Sequence, residues 1–303
     1  MANITIREFV EQHPHVMKDN PALTFSKGGA AEEVTRTLAR YGVVMLRDVL
    51  PAASLRTACV AFQGFMRTLG RKPLWPSWAR DEGPSPQWAQ GETNAGSWHK
   101  PWTVRYWNRR PTAIVVPELI RSWAWPTVEA LCGSTDIAIL FEASTARHAI
   151  DVDLGVGAHQ DAKVVSPALP FSIWIPLHAV RPGKESGLGF VVGSFDRVLQ
   201  TNSSGDIGHE PIVDHPDSVW VPAYGAGDVS IHASHTPHFT TGFGTGSHRY
   251  SLEIRAIPRT AMDEEHDGPS IYIGRRDGKP AVVGANRASD RRTRGFLGTL
   301  LKA

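Results

Sequence analysis

The sequence predicts a mainly β protein with flanking helices, its second half a sandwich or barrel. Three observations carry this. Short apolar runs at 137–142, 171–177, 190–192, 219–221, 229–231 and 250–257 alternate with Gly/Pro-rich turns, a density of short strands characteristic of sandwiches and barrels. Along Arg249 to Arg255 the odd positions are Arg, Ser, Glu and Arg, while the even ones are Tyr250, Leu252 and Ile254. A strand with one polar and one apolar face suits a barrel wall that lines a polar cavity and packs on helices outside. The first third of the chain has helical spacing instead.

There, 32–40 carries Val34 and Leu38 four apart, and the continuous run Gly42-Val43-Val44-Met45-Leu46 suits a buried strand. Pro51 opens a helix with Leu55, Cys59, Phe62, Met66 and Leu69 on one stripe; proline costs nothing in a first turn, where the N–H is unpaired anyway. Residues 114–132 read as one or two helices broken at Pro126. Between them, 70–111 loses all periodicity and holds six of the ten tryptophans (Trp75, Trp78, Trp88, Trp98, Trp102, Trp107). Long segments of this kind are either core-plugging loops or substrate lids. The basic end, 287–302, reads as a solvated tail. The expected organisation is one domain over 1–303, with a helical part at about 1–135, a barrel core at about 136–260 and a C-terminal extension at about 261–303.

Composition narrows the function. The 303 residues are 41% hydrophobic and 20% charged, ordinary for a globular chain. Thirty-two Lys and Arg against thirty Asp and Glu leave a formal charge of +2, which gives no electrostatic case for a nucleic-acid partner. The two cysteines, Cys59 and Cys132, supply neither a disulfide framework nor a CxxC metal site, so a cytoplasmic compartment is expected. No run is long and apolar enough for a membrane span, and the polar start does not resemble a signal peptide.

Two triplets have metal-ligand form. Ligands at i and i+2 on a strand point to one face, as in His159-Gln160-Asp161 and His215-Pro216-Asp217. With thirteen histidines such triplets arise by chance, so context decides. His159 follows a Gly-bearing turn and precedes a strand, whereas Pro216 suits a loop. His232 and His235 flank a further histidine, His238, and histidine-rich strands also build zinc sites; alternation along one strand would put 232 and 238 on one face and 235 on the other.

Over about 42–257 the order of Gly42 to Arg47, the Pro51 helix, His159-Gln160-Asp161, Trp174-Ile175-Pro176-Leu177, Ser186 to Ser194, Gly227-Asp228, His238 and Arg249 resembles the phytanoyl-CoA dioxygenase-like branch of the iron(II)- and 2-oxoglutarate-dependent oxygenases. The resemblance implies a double-stranded β-helix, a jelly-roll or cupin-like barrel. It makes His159, Asp161 and His238 the facial triad for iron(II), with open positions for 2-oxoglutarate and dioxygen. Arg249 would bind the distal carboxylate of 2-oxoglutarate, as a planar and permanently charged fork does. Ser251 would add a second hydrogen bond. The implied reaction couples decarboxylation of 2-oxoglutarate to oxidation, typically hydroxylation, of an unactivated C–H bond in a small molecule. Apart from the resemblance, Arg105, Arg147 and His148 are candidates for the substrate side that the sequence does not separate from surface residues. Two other classes stay open: a metal-dependent isomerase or hydrolase on a cupin-like barrel, and a non-catalytic, ligand-sensing barrel.

Overall fold

The computed structural model describes residues 4–69, 102–105, 109–140, 144–151, 153–164, 170–193, 195–202, 206–262 and 270–286. Helices α1 (Ile6–Gln12), α2 (Ala31–Tyr41) and α3 (Ala52–Leu69) alternate with two early strands, β1 (Thr24–Phe25) and β2 (Val43–Leu46). After β3 (Trp102–Arg105) come α4 (Arg109–Arg121) and α5 (Trp125–Cys132), then β4 (Ile137–Leu140) and β5 (Thr145–Ile150). A helical turn, α6 (Asp161–Val164), leads to β6 (Phe171–Pro176) and β7 (Leu188–Val191). The turn α7 (Glu210–Val213) precedes β8 (Val219–Trp220), β9 (Val229–Ala233), β10 (His238–Thr240) and the long β11 (His248–Pro258). A hairpin of β12 (Ser270–Arg276) and β13 (Lys279–Asn286) closes the described chain.

Ten strands form one sheet in the order β1-β2-β9-β6-β11-β4-β12-β13, with β5 on β11 and β3 on β5; a second sheet has the order β10-β7-β8. β11 organises the large sheet. One edge pairs with β6 over Ser251–Arg255, and the other pairs first with β5 over His248–Glu253 and then with β4 over Ala256–Pro258. This is a mainly β, double-stranded β-helix with flanking helices. Its period-2 pattern sorts the residues as the sequence predicts. Leu252, Ile254 and Ala256 join the core that α2, α3, α4 and α5 build with Val34, Leu38, Leu55, Phe62, Leu119 and Trp125. The odd positions of β11 turn to the other side.

The details depart from expectation in several places. Residues 114–132 do form two helices, but Pro126 does not break them: it lies in the first turn of α5, where a missing N–H costs nothing, and α4 tolerates Pro117 within its length. The stretch 70–111 is not uniformly irregular, since β3 and the start of α4 fall inside it; the tryptophan-rich remainder and the basic end lie outside the described residues. Strands are not confined to 136–260, because β2 and the β12–β13 hairpin belong to the same sheet. The hairpin turns at Asp277 and Gly278, both at positive φ, the Asp-Gly signature of a two-residue turn. Among the described residues no helix is long and apolar enough to cross a membrane.

Close approaches are made at glycines. In the small sheet Gly189 pairs with Phe239, whose ring lies where a Cβ would be, 2.3 Å from its ideal position. Gly189→Ala is therefore expected to overpack this contact and lower stability by about 1–3 kcal/mol, read as a lower midpoint in urea unfolding with unchanged slope. Gly42 ends α2 at φ 75, and a side chain there would collide with Thr236 and the Gly193 carbonyl.

Candidate metal centre

The small sheet brings two histidines face to face. His159 and His238 exchange backbone hydrogen bonds, His159 N to His238 O at 3.0 Å and the reverse at 2.9 Å, so they are direct cross-strand partners with side chains on one face. Their ring centroids are 4.2 Å apart. His238 Nδ1 lies 3.1 Å from the Thr236 carbonyl. Donating there fixes the tautomer and leaves Nε2 as the lone-pair nitrogen, 3.8 Å from Asp161 Oδ1. Asp161 does not continue the strand of His159. The chain turns after Gln160 and Asp161 opens α6, docked by Ala162 N on the Ser234 carbonyl at 2.9 Å. Gln160 points away and ties the 195–199 loop and the 233–237 turn together: its amide donates to the Arg197 and His235 carbonyls and accepts from Leu199 N at 2.7 Å.

The electrostatics suit a cation. Burial, aided by the positive fields of His238 and Arg147, holds His159 well below the usual imidazole range. Burial and His232 take His238 down to about 4. Both rings are thus neutral near pH 7, the form that binds metal. Burial alone would raise the Asp161 carboxyl, but Arg255, His238 and His232 outweigh it and keep the group well below the usual carboxylate range.

More donors stand here than the three residues expected from the sequence. His232 on β9 has its ring centroid 4.4 Å from that of His238, and its Nε2 lies 3.3 Å from Asp161 Oδ2. The β9–β10 turn brings these two histidines together across the two sheets, and His235 stands within that turn. Asp161, His232, His238 and Glu253 each offer one ligand atom, all within 4.8 Å of one another. This cluster shares Asp161 and His238 with the triad expected from the sequence and does not include His159.

Further along the same face of β11 lies Arg249, fully buried. Its Nη1 donates to the Gly187 carbonyl at 3.1 Å, and its guanidinium carbon sits 5.5 Å from the centre of the Trp174 ring. Nε and Nη2 have no partner. Burial, then repulsion from Arg147, pulls its pKa down to about 9, so it stays charged at neutral pH. Ser251 is buried on the same strand face.

No family model matches this chain, and no curated protein matches it. Solved structures do. The non-heme alpha ketoglutarate dependent carbocyclase SnoK from nogalamycin biosynthesis aligns over 80% of this chain and 88% of its own, with 17% identity and a TM-score of 0.52. The double-stranded β-helix is shared with SnoK. The epimerase SnoN from the same biosynthesis aligns over 80% of this chain and 85% of its own at 18% identity and a TM-score of 0.49. The non-heme monooxygenase ThoJ, as its nickel complex, aligns over 88% and 93% at 15% identity and a TM-score of 0.48.

His159, Asp161 and His238 are thus brought together on a SnoK-like fold, and Arg249 and Ser251 share one strand face beside them. His215 and Asp217 do not join them. Both are exposed, and Asp217 pairs with His15 at 3.2 Å. Arg147 lies opposite Ser251 on β5 and its field reaches His159 and Arg249. His148 is on β5 and Arg105 on β3, but their side chains lie outside the described residues. The sequence motifs assign no role to Glu253, Arg255 or Ser172. The first two stand on the polar face of β11 that the alternating pattern already marks.

Proposed function

We propose that this chain is an iron(II)- and 2-oxoglutarate-dependent oxygenase of the phytanoyl-CoA dioxygenase-like branch, a single domain over 1–303 that oxidises a small molecule in the cytoplasm. The observation that carries this reading is Arg249. A guanidinium buried in the barrel wall with two unpartnered N–H donors is costly, and a bidentate carboxylate satisfies both donors and charge. A metalloenzyme acting only as a Lewis acid needs such a residue only where its own substrate carries an acid group. The donor types fit the metal: two neutral imidazoles and one ionised carboxylate are the donors of a non-heme iron(II) facial triad. SnoK carries alpha-ketoglutarate dependence on the same fold.

In this reading His159, Asp161 and His238 hold the iron, Arg249 orients 2-oxoglutarate with Ser251 as a second donor, and Trp174 walls the cosubstrate side. The bound iron supplies oxidation by dioxygen at the expense of 2-oxoglutarate, which leaves as succinate and carbon dioxide. A cavity of about 290 Å³ lies against His159, lined by Leu154, Val156 and Phe239 with Asn202, Asp206 and His209. It is close to small-molecule size and mixed in polarity, which makes it a candidate for the substrate. The test is succinate release from 2-oxoglutarate with iron(II) and dioxygen across a panel of candidate substrates. Release without any dependence on iron would refute the reading, as would no release under any condition.

A second reading takes the four-ligand set of Asp161, His232, His238 and Glu253 as a closed site for a zinc-like ion. Arg255 argues against it, since its guanidinium stands 2.9 Å from Asp161 and 3.0 Å from Glu253, where it repels a second cation. The triad also fixes the outcome of the oxidation with respect to halide. In halogenating relatives the triad carboxylate is Gly or Ala, which frees a position for chloride. Asp161 fills that position here. Product formed in chloride or bromide buffer is expected to carry no halogen by mass spectrometry, and a halide-dependent mass shift would overturn the assignment.

A further inference from the structure

The second ligand set is bound up by one positive charge. Arg255 is buried on β11, with Nη2 2.9 Å from Asp161 Oδ2 and Nη1 3.0 Å from Glu253 Oε1. Its Nε has no hydrogen-bond partner, and the two ion pairs hold the group in place. Asp161 Oδ2 also accepts from the Ser172 hydroxyl and lies 3.3 Å from His232 Nε2. With three donors on one carboxylate oxygen, its two lone pairs are committed, and only Oδ1, facing His238 Nε2, is left for a metal. Glu253 Oε2 accepts from Thr145 Oγ1 at 3.1 Å, so both its oxygens are engaged as well. His232, with Nε2 turned to Asp161, has Nδ1 buried without a partner.

We propose that Arg255 is a positioning residue that acts as an internal counter-cation: it keeps Glu253 and His232 out of the metal's coordination sphere and holds Asp161 to one ligating oxygen, so that positions stay open for the cosubstrate. The inference rests on the ligand assignment above. Without this charge, two acidic side chains and a histidine within 4.8 Å of His238 would be free to close around the ion. The metal would then bind more tightly, and the cosubstrate would be excluded. A merely structural arginine gives the opposite sign, because its loss loosens the site and weakens the metal.

Cobalt(II) titration of the purified, metal-free full chain, followed by visible absorption, separates these outcomes. In the parent protein the spectrum is expected to be weak, as for an open site, and to shift when 2-oxoglutarate is added. In Arg255→Met, cobalt affinity rises by about tenfold or more, the scale on which neighbours of ligands act. The band intensifies toward that of a closed four-coordinate ion, and 2-oxoglutarate no longer shifts it. Arg255→Lys keeps the charge and the parent behaviour, and Arg255→Met combined with Glu253→Gln falls back toward the parent affinity. Weaker or unchanged cobalt binding in Arg255→Met, with the 2-oxoglutarate response retained, overturns the proposal. Should Arg255→Met fail to fold, Glu253→Gln alone decides. It is expected to leave cobalt affinity within about twofold, well short of the effect of losing a ligand, and a tenfold loss would show that Glu253 already ligates and sink the idea. His159→Ala tests the underlying assignment separately, since undiminished cobalt binding there refutes the triad whatever Arg255 does.

Discussion

Replacing His159, Asp161 or His238 with alanine is expected to abolish iron-dependent succinate release, each by more than the roughly 10- to 100-fold that follows loss of a ligand's neighbour. The geometry makes the three effects alike. His159 and His238 are cross-strand partners with rings 4.2 Å apart, and Asp161 Oδ1 stands 3.8 Å from His238 Nε2. In the proposed assignment, removing any one leaves two of the three ligands, too few to hold a labile divalent ion against water while His232 and Glu253 are tied to Asp161 and Arg255. His215→Ala serves as the control: the side chain is exposed and not part of the donor cluster, so activity is expected to stay near the parent value. A lethal His215 change with a neutral His159 change would reverse the site assignment. Each variant needs its unfolding midpoint measured, because Asp161 also anchors Ser172 and Arg255 and its loss leaves a buried guanidinium with one carboxylate partner fewer.

Much of this site is legible in the sequence because a strand has a period of two. The alternation on β11 by itself separates the helix-packed residues from Arg249, Ser251, Glu253 and Arg255. The triplet His159-Gln160-Asp161 brings two candidate ligands near His238, although by another route than strand alternation: Asp161 leaves the strand and begins a helical turn. The pairing of His159 with His238 is a matter of register between segments distant in sequence, and register follows from turns and packing that local patterns do not encode. The role of Arg255 is hidden for the same reason. Its ion pair with Asp161 joins β11 to α6, and nothing within either segment announces the other. The hairpin after residue 269 is a different case. Its Asp277-Gly278 turn carries a strong local signal, which the placement of 261–303 as an extension passes over.

Arg249→Lys is expected to raise the apparent KM for 2-oxoglutarate by about 10- to 150-fold, the equivalent of the roughly 1.5–3 kcal/mol that a charged hydrogen bond contributes. Lysine keeps the charge but replaces a planar fork with a single ammonium, so one of the two donors now unpartnered at Nε and Nη2 cannot be reproduced. The shorter reach also loses the contact with the Gly187 carbonyl, made at 3.1 Å by Nη1. Arg249→Gln removes the charge too and is expected to cost more, because the cosubstrate carboxylate is then buried near the packed rings of Trp174 and Tyr224 without a cation. Cobalt affinity in the absence of cosubstrate should stay at the parent value in both variants, since Arg249 is anchored on the Gly187 carbonyl and acts on the ligand rather than the metal. That split between KM and metal affinity is what distinguishes a cosubstrate anchor from a residue that merely supports the barrel. An unchanged KM for 2-oxoglutarate in Arg249→Lys would leave the buried fork without a function and remove the main support for 2-oxoglutarate as the cosubstrate.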